Sequence, residues 1–93
     1  MKIKFSDDFY FFLAEIVRFI SKGKPLAARK FKKDLINAIK KDLKFPFNYK
    51  KSFYYEADFY RDYVFNGYTI TYKIFEGEQQ VLILGIIKNK YSY

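Results

Sequence analysis

The side chains able to do chemistry in this chain are cations and hydroxyls. It has no histidine and no cysteine, so it lacks the usual general base near neutral pH, the commonest metal ligand and the thiolate nucleophile. Proton transfer or charge stabilisation falls to Lys, Arg, Asp, Glu, Tyr and Ser/Thr. Three groups gather those types. The run Lys88-Asn89-Lys90-Tyr91-Ser92-Tyr93 interleaves cations with aromatic rings, a composition suited to gripping a partner, and blandly also that of a last sheet edge. Arg61 and Lys73 offer positive charge to a phosphate or a carboxylate, although Asp58 or Glu56 is near enough in sequence to hold Arg61 in a structural ion pair. Thr69, Thr71 and Lys73 alternate along one segment and share one face. No cofactor, metal ion or small-molecule substrate is expected from these residues.

Charge points the same way. The chain carries a net charge of +8, and Lys22 to Lys51 holds eleven Lys/Arg against the two acids Asp34 and Asp42. Such a field favours nucleic acid, anionic lipid or an acidic protein. The plainer reading is a solvated helix face that keeps an aromatic-rich chain in solution.

The elements that must position these groups follow from periodicity. Residues 2–5 alternate, with Ile3 and Phe5 on one side, and predict a short strand. Ser6 offers an N-cap, and Asp7 and Asp8 suit the positive end of a helix. Phe9, Leu13, Ile16, Val17 and Ile20 recur at three- and four-residue spacing, with Phe12 and Phe19 expected to widen that buried stripe. Lys22 and Gly23 are expected to close the helix, the glycine being suited to the left-handed conformation. Pro25 opens a second helix to about Leu43, buried through Ala28, Phe31, Leu35, Ala38 and Ile39. Arg29, Lys30, Lys33, Lys40, Lys41 and Lys44 project from its other side.

Residues 45–58 have no sustained period and read as a loop with room for a short strand. Phe59–Phe65 and Tyr68–Phe75 flank Asn66-Gly67, the dipeptide whose tolerance of positive φ marks a tight hairpin. Glu76–Gln80 makes a further turn. Val81–Ile87 is an unbroken apolar run, which suggests a strand near the sheet centre.

The expected fold class is α+β, in the order β-α-α-β-β-β. A helical hairpin covers one face of a small, largely antiparallel sheet. The other face carries Thr69, Thr71, Lys73 and Phe75, or the tyrosine set if the register is reversed, and is open to a partner. Ninety-three residues, 51% hydrophobic and 24% aromatic, suit one folded domain over 1–93. No run of about 18 apolar residues occurs and Met1-Lys2-Ile3-Lys4 does not resemble a signal peptide, so a cytoplasmic protein without membrane contact is expected.

That order, with Arg61-Asp62-Tyr63 ahead of Gly67-Tyr68-Thr69-Ile70-Thr71-Tyr72-Lys73 and then Val81-Leu82-Ile83-Leu84, resembles the RelE/ParE toxin superfamily over nearly the whole chain. Leu43-Lys44-Phe45-Pro46 resembles the family's Phe-Pro loop, Arg61 its Arg-containing strand, and Gly67-Tyr68 with Tyr72 its Gly-Tyr strand. The resemblance implies the toxin of a type II toxin–antitoxin system, of the kind also called plasmid stabilisation proteins, neutralised by a cognate antitoxin with an acidic segment.

Within that superfamily the ribonuclease branch carries an Arg after Gly-Tyr that contacts the scissile phosphate; this chain has Thr69 there. The departure makes the chain more similar to the ParE branch, which implies inhibition of DNA gyrase by binding. Target contacts are then expected at Lys88, Lys90, Tyr91 and Tyr93, and antitoxin contacts at Arg61, Thr69, Thr71 and Lys73. The alternative is a ribosome-dependent mRNA endonuclease of the RelE kind. Arg61, Lys73, Lys88 or Lys90 would then stabilise charge, while Tyr91 or Tyr93 would place the 2′-hydroxyl or stack a base. A third reading is an inactive toxin or a non-toxic basic module that binds nucleic acid.

Overall fold

The computed structural model describes residues 1–89 of the chain. Strand β1 (Lys2–Phe5) leads into helices α1 (Asp7–Ser21) and α2 (Pro25–Asp42), followed by β2 (Tyr60–Phe65), β3 (Tyr68–Phe75) and β4 (Gln80–Lys88). The four strands form one sheet in the order β1-β4-β3-β2. The β2–β3 and β3–β4 pairs are antiparallel, and β1 lies parallel to β4. The sheet is therefore mixed, with one parallel pair, and the apolar last strand lies inside it, as its composition leads one to expect.

Local chemistry explains the boundaries. The Ser6 hydroxyl accepts the Phe9 N–H at 3.0 Å and donates to the Leu84 carbonyl at 2.9 Å, capping α1 and tying its start to β4. Asn66 and Gly67 turn the β2–β3 hairpin with φ of 48° and 84°, the double positive φ of a type I′ turn. The last turn of α1 differs from expectation. Gly23 is not among the residues with positive φ; instead the Gly23 and Lys24 N–H groups both return to the Ile20 carbonyl. The chain thus turns into α2 without a left-handed residue, and Pro25 fixes φ for the next helix.

The helical hairpin packs on the sheet face made by Ile70, Tyr72 and Ile74 of β3, Tyr63 of β2, and Val81, Ile83 and Ile86 of β4. Phe9 and Leu13 of α1 and Leu35 and Ile39 of α2, with Leu43 just past it, complete the core. Phe31 rests on Tyr68 and Phe65, with ring centroids 5.2 and 6.2 Å away. Phe12 and Phe19, expected to widen the buried stripe, are exposed instead, Phe19 to 72%. Both lie on the flank of α1 away from α2; Phe12 stands beside the later half of β4, and nothing among the described residues covers Phe19.

One irregularity was masked by composition. Thr71 pairs with Gly85 but Tyr72 pairs with Ile83, which leaves Leu84 as an extra residue on β4. A bulge of this kind reverses the alternation of faces: Val81 and Ile83 point into the core before it, Ile86 after it. The run Val81–Ile87 therefore looks continuously apolar because two alternating halves are joined out of phase.

Candidate functional site

The second face of the sheet is set by strand parity. Thr69, Thr71, Lys73 and Phe75 of β3 lie opposite Val64, Asp62 and Tyr60 of β2, so all face away from the helices. The first of the two registers considered from sequence is the one adopted.

This face is partly roofed by the segment after α2, which returns across it. Lys51 bridges Arg61, the Ser52 N–H reaches the Tyr60 carbonyl at 2.9 Å, and the Asp62 N–H reaches the Lys50 carbonyl at 3.1 Å. Residues 50–52 thus add a short edge beside β2, the strand for which the aperiodic loop left room. Beyond it the Phe53 N–H donates to the Asp62 carboxylate at 3.0 Å, and the Thr71 hydroxyl donates to its other oxygen at 2.8 Å. Asp62 is only 3% exposed; its charge is held by these two donors, which bind the returning loop to the sheet.

The loop leaves its aromatic side chains in solvent. Phe53 is 88% exposed, and Tyr55 stacks on Tyr60 with centroids 4.1 Å apart. The Lys73 ammonium lies over Phe75, Phe59 and Tyr60 at 4.7, 5.4 and 5.5 Å from their centroids, close enough for attraction to each ring face. Beside this cluster runs a groove of about 360 Å³. Thr69, Thr71, Tyr54 and Tyr55 line one side, Leu84–Ile87 of β4 its length, and Asp8 and Phe12 of α1 the far wall. Because β1 pairs only with Gln80–Ile83, the rest of β4 has no strand neighbour on that side among the described residues.

Arg61 is not on this face. It pairs with Tyr72 and projects toward the helical side, with a side chain 11% exposed. Its guanidinium donates to the Phe47 and Tyr49 carbonyls at 3.0 and 2.8 Å and to the Asp58 carbonyl and carboxylate at 2.8 and 3.0 Å. It also lies 5.1 Å from the Phe47 ring centroid. It is thus the pin that fastens the loop before β2, and the sheet separates it from Thr69, Thr71 and Lys73. The Thr69 hydroxyl is itself bonded to the Asn89 side chain.

Near Arg61 lies a second polar group. The Tyr63 hydroxyl donates to Asp42 at the end of α2, and the Tyr72 hydroxyl to the Pro46 carbonyl. Burial pushes both phenols well above their ordinary range; for Tyr63 the bond to Asp42 adds to this, and for Tyr72 the Arg61 charge opposes it. Neutral, hydrogen-bonded phenols of this kind hold structure together.

Of the terminal residues expected to touch a target, Lys88 ends β4, exposed and opposite Tyr68. Lys90, Tyr91 and Tyr93 lie outside the described residues. Sequence reasoning missed Asp62 as the anchor of the returning loop and Phe12 as a groove wall. An aspartate inside a strand-like aromatic run, where it is unfavourable, was the available signal for the first.

A family model described as the ParE toxin of the type II toxin–antitoxin system parDE matches residues 3–93. A solved structure described as a chromosomal ParDE TA system from P. aeruginosa superposes with a TM-score of 0.77 at 17% identity, covering 97% of each chain. At that identity the likeness speaks for the fold. Among curated proteins no match is found.

Proposed function

The chain belongs to the ParE toxin family of type II toxin–antitoxin systems, and from that premise we propose that it is held inactive by a cognate antitoxin and, once released, inhibits DNA gyrase by binding. The observation that carries the binding mode is how two of the four expected cations, Arg61 and Lys73, are engaged. Thr69 occupies the position where the ribonuclease branch presents arginine, and its hydroxyl is turned to Asn89. Arg61 is spent on loop carbonyls and Asp58 on the far side of the sheet, and Lys73 rests among three rings. Stabilising a pentavalent phosphate needs donors already aimed at it; these are aimed elsewhere.

The groove supports the antitoxin half of the proposal. It combines an apolar wall, the free border of β4 and a flanking cation, the features that receive an extended acidic segment folding on binding. Thr69, Thr71 and Lys73 are the antitoxin contacts retained from the sequence; Tyr54, Tyr55 and Phe12 join them.

The test is a supercoiling assay with purified gyrase run beside a translation extract scored for mRNA cleavage. Loss of supercoiling with intact message is the expected result. Codon-positioned cuts with unaffected gyrase would replace this reading with the endonuclease one, and activity in neither would indicate an inactive toxin. For the antitoxin, Tyr55→Ala with Phe12→Ala should weaken its binding at least tenfold by titration calorimetry while leaving the thermal melt nearly unchanged.

A further inference from the structure

The outward side of α2 is used by neither the core nor the groove. Ala28, Leu35 and Ile39 bury its inner side, and at 3.6 residues per turn Arg29, Lys30, Lys33, Lys40 and Lys41 fall within a sector of about 120° on the opposite side. Lys44 continues the row just past the helix. All six are exposed. Among the described residues, one ion pair engages this row, Lys30 with Asp34 at 3.0 Å.

From this row we infer that the chain binds the phosphate backbone of a nucleic-acid duplex through the outward side of α2. Spacing supports this: Arg29 to Lys41 spans about 18 Å of helix at 1.5 Å per residue, and its i,i+4 steps compare with the separation of successive phosphates along a strand. Rigidity supports it too, because the inner side of α2 is locked into the core and the cations are presented without ordering the backbone. The row also lacks what a protein partner requires. Specific protein interfaces are depleted in lysine and centred on clusters of aromatic or apolar anchors, whereas this side of α2 sets its cations and Asn37 beside one exposed apolar residue, Leu26, and no aromatic ring. A duplex asks only for cations, since releasing its condensed counterions supplies the free energy.

The prediction is an affinity independent of sequence and steeply dependent on salt. With about four phosphates neutralised, the association constant falls on the order of 10²-fold between 50 and 200 mM salt. The full chain is titrated onto short mixed-sequence DNA and RNA duplexes by fluorescence anisotropy, with anionic vesicles in parallel. Binding to either duplex with that slope is expected, and comparison of the two identifies which is preferred. The double variant K33E/K40E should reduce the slope by about two and weaken binding at least tenfold. K2E/K4E, which makes the same charge change on β1, should cost far less. The inference is overturned if the wild-type chain shows no salt-dependent duplex binding, if K2E/K4E loses as much as K33E/K40E, or if only vesicles are bound. Circular dichroism on both variants confirms that the fold is kept.

Discussion

The two faces of the sheet are built from alternate residues of the same strands, yet they are finished in opposite ways. Toward the helices, β3 offers Ile70, Tyr72 and Ile74, each at most 3% exposed, and the buried Tyr63 and Tyr72 hydroxyls both have internal partners. Away from the helices it offers Thr69, Thr71 and Lys73, covered among the described residues by a loop that Asp62 ties to this face and that leaves its own rings in water. A small chain can close one side of a four-stranded sheet with two helices. The other side is left less completely covered, and it is the face to which the proposed function assigns the antitoxin.

The comparison fails if both faces contribute equally to stability. Leu35→Ala or Ile83→Ala should cost about 2–5 kcal/mol in urea unfolding, against less than about 0.5 kcal/mol for Phe53→Ala. Similar losses at all three sites would mean that the loop face is as much a core as the helical one.

The anchor of the loop gives the next largest effect. Asp62→Ala removes the acceptor of two hydrogen bonds to a charged group and should cost about 2 kcal/mol, with hydrogen exchange at the Phe53 amide rising more than at the Tyr63 amide. Asp62→Asn should recover part of the loss through its remaining carbonyl oxygen. Uniform acceleration at both amides would deny that the loop opens on its own.

Alkali should separate the faces by chemistry. Tyr63 and Tyr72 have folded-state pKa values raised above that of an unfolded phenol, chiefly by burial, so the folded state holds their protons when the unfolded state has released them. Their contribution is complete below about pH 10 and is lost as pH rises through the folded-state values. Tyr63→Phe should cost roughly 1 kcal/mol at pH 8 and flatten the decline above pH 10, as read from denaturant midpoints. An unchanged alkaline slope would shift the cause to lysine deprotonation.

The smallest effect tests a turn beyond both faces. Gln79 adopts a left-handed φ of 51° between β3 and β4, a conformation that disfavours side chains with a Cβ. Gln79→Gly should raise stability by about 0.5 kcal/mol, read as a small increase in melting temperature.

The helices, the hairpin and the core were legible because each rests on a period or a turn signal carried by neighbouring residues. Phe9, Leu13, Leu35 and Ile39 announce themselves by spacing, and Asn66-Gly67 by its tolerance of positive φ. Phe12 and Phe19 misled because a helical stripe shows which residues are apolar but not how wide the covering sheet is. The site was less legible. The pairing of Arg61 with Asp58 was legible in the sequence, but only three-dimensional closure brings the Phe47 and Tyr49 carbonyls around the same guanidinium. Asp62 was passed over because its donors, Phe53 and Thr71, come from two different segments. The Leu84 bulge was hidden because residues on both sides of it are apolar.

The parallel pairing of β1 with β4 has a consequence for the order of assembly. The α1–α2 and β2–β3 hairpins close over short stretches of chain, whereas Ser6 reaches Leu84 across 78 residues. Closing so long a loop is slow relative to local hairpins. During synthesis on the ribosome β1 emerges first and its partner last, so the sheet cannot close while the nascent chain is still being extended through β3. The fold is therefore completed only by the last strand, and everything that depends on the closed sheet, the groove along β4 included, forms after synthesis has passed Lys88.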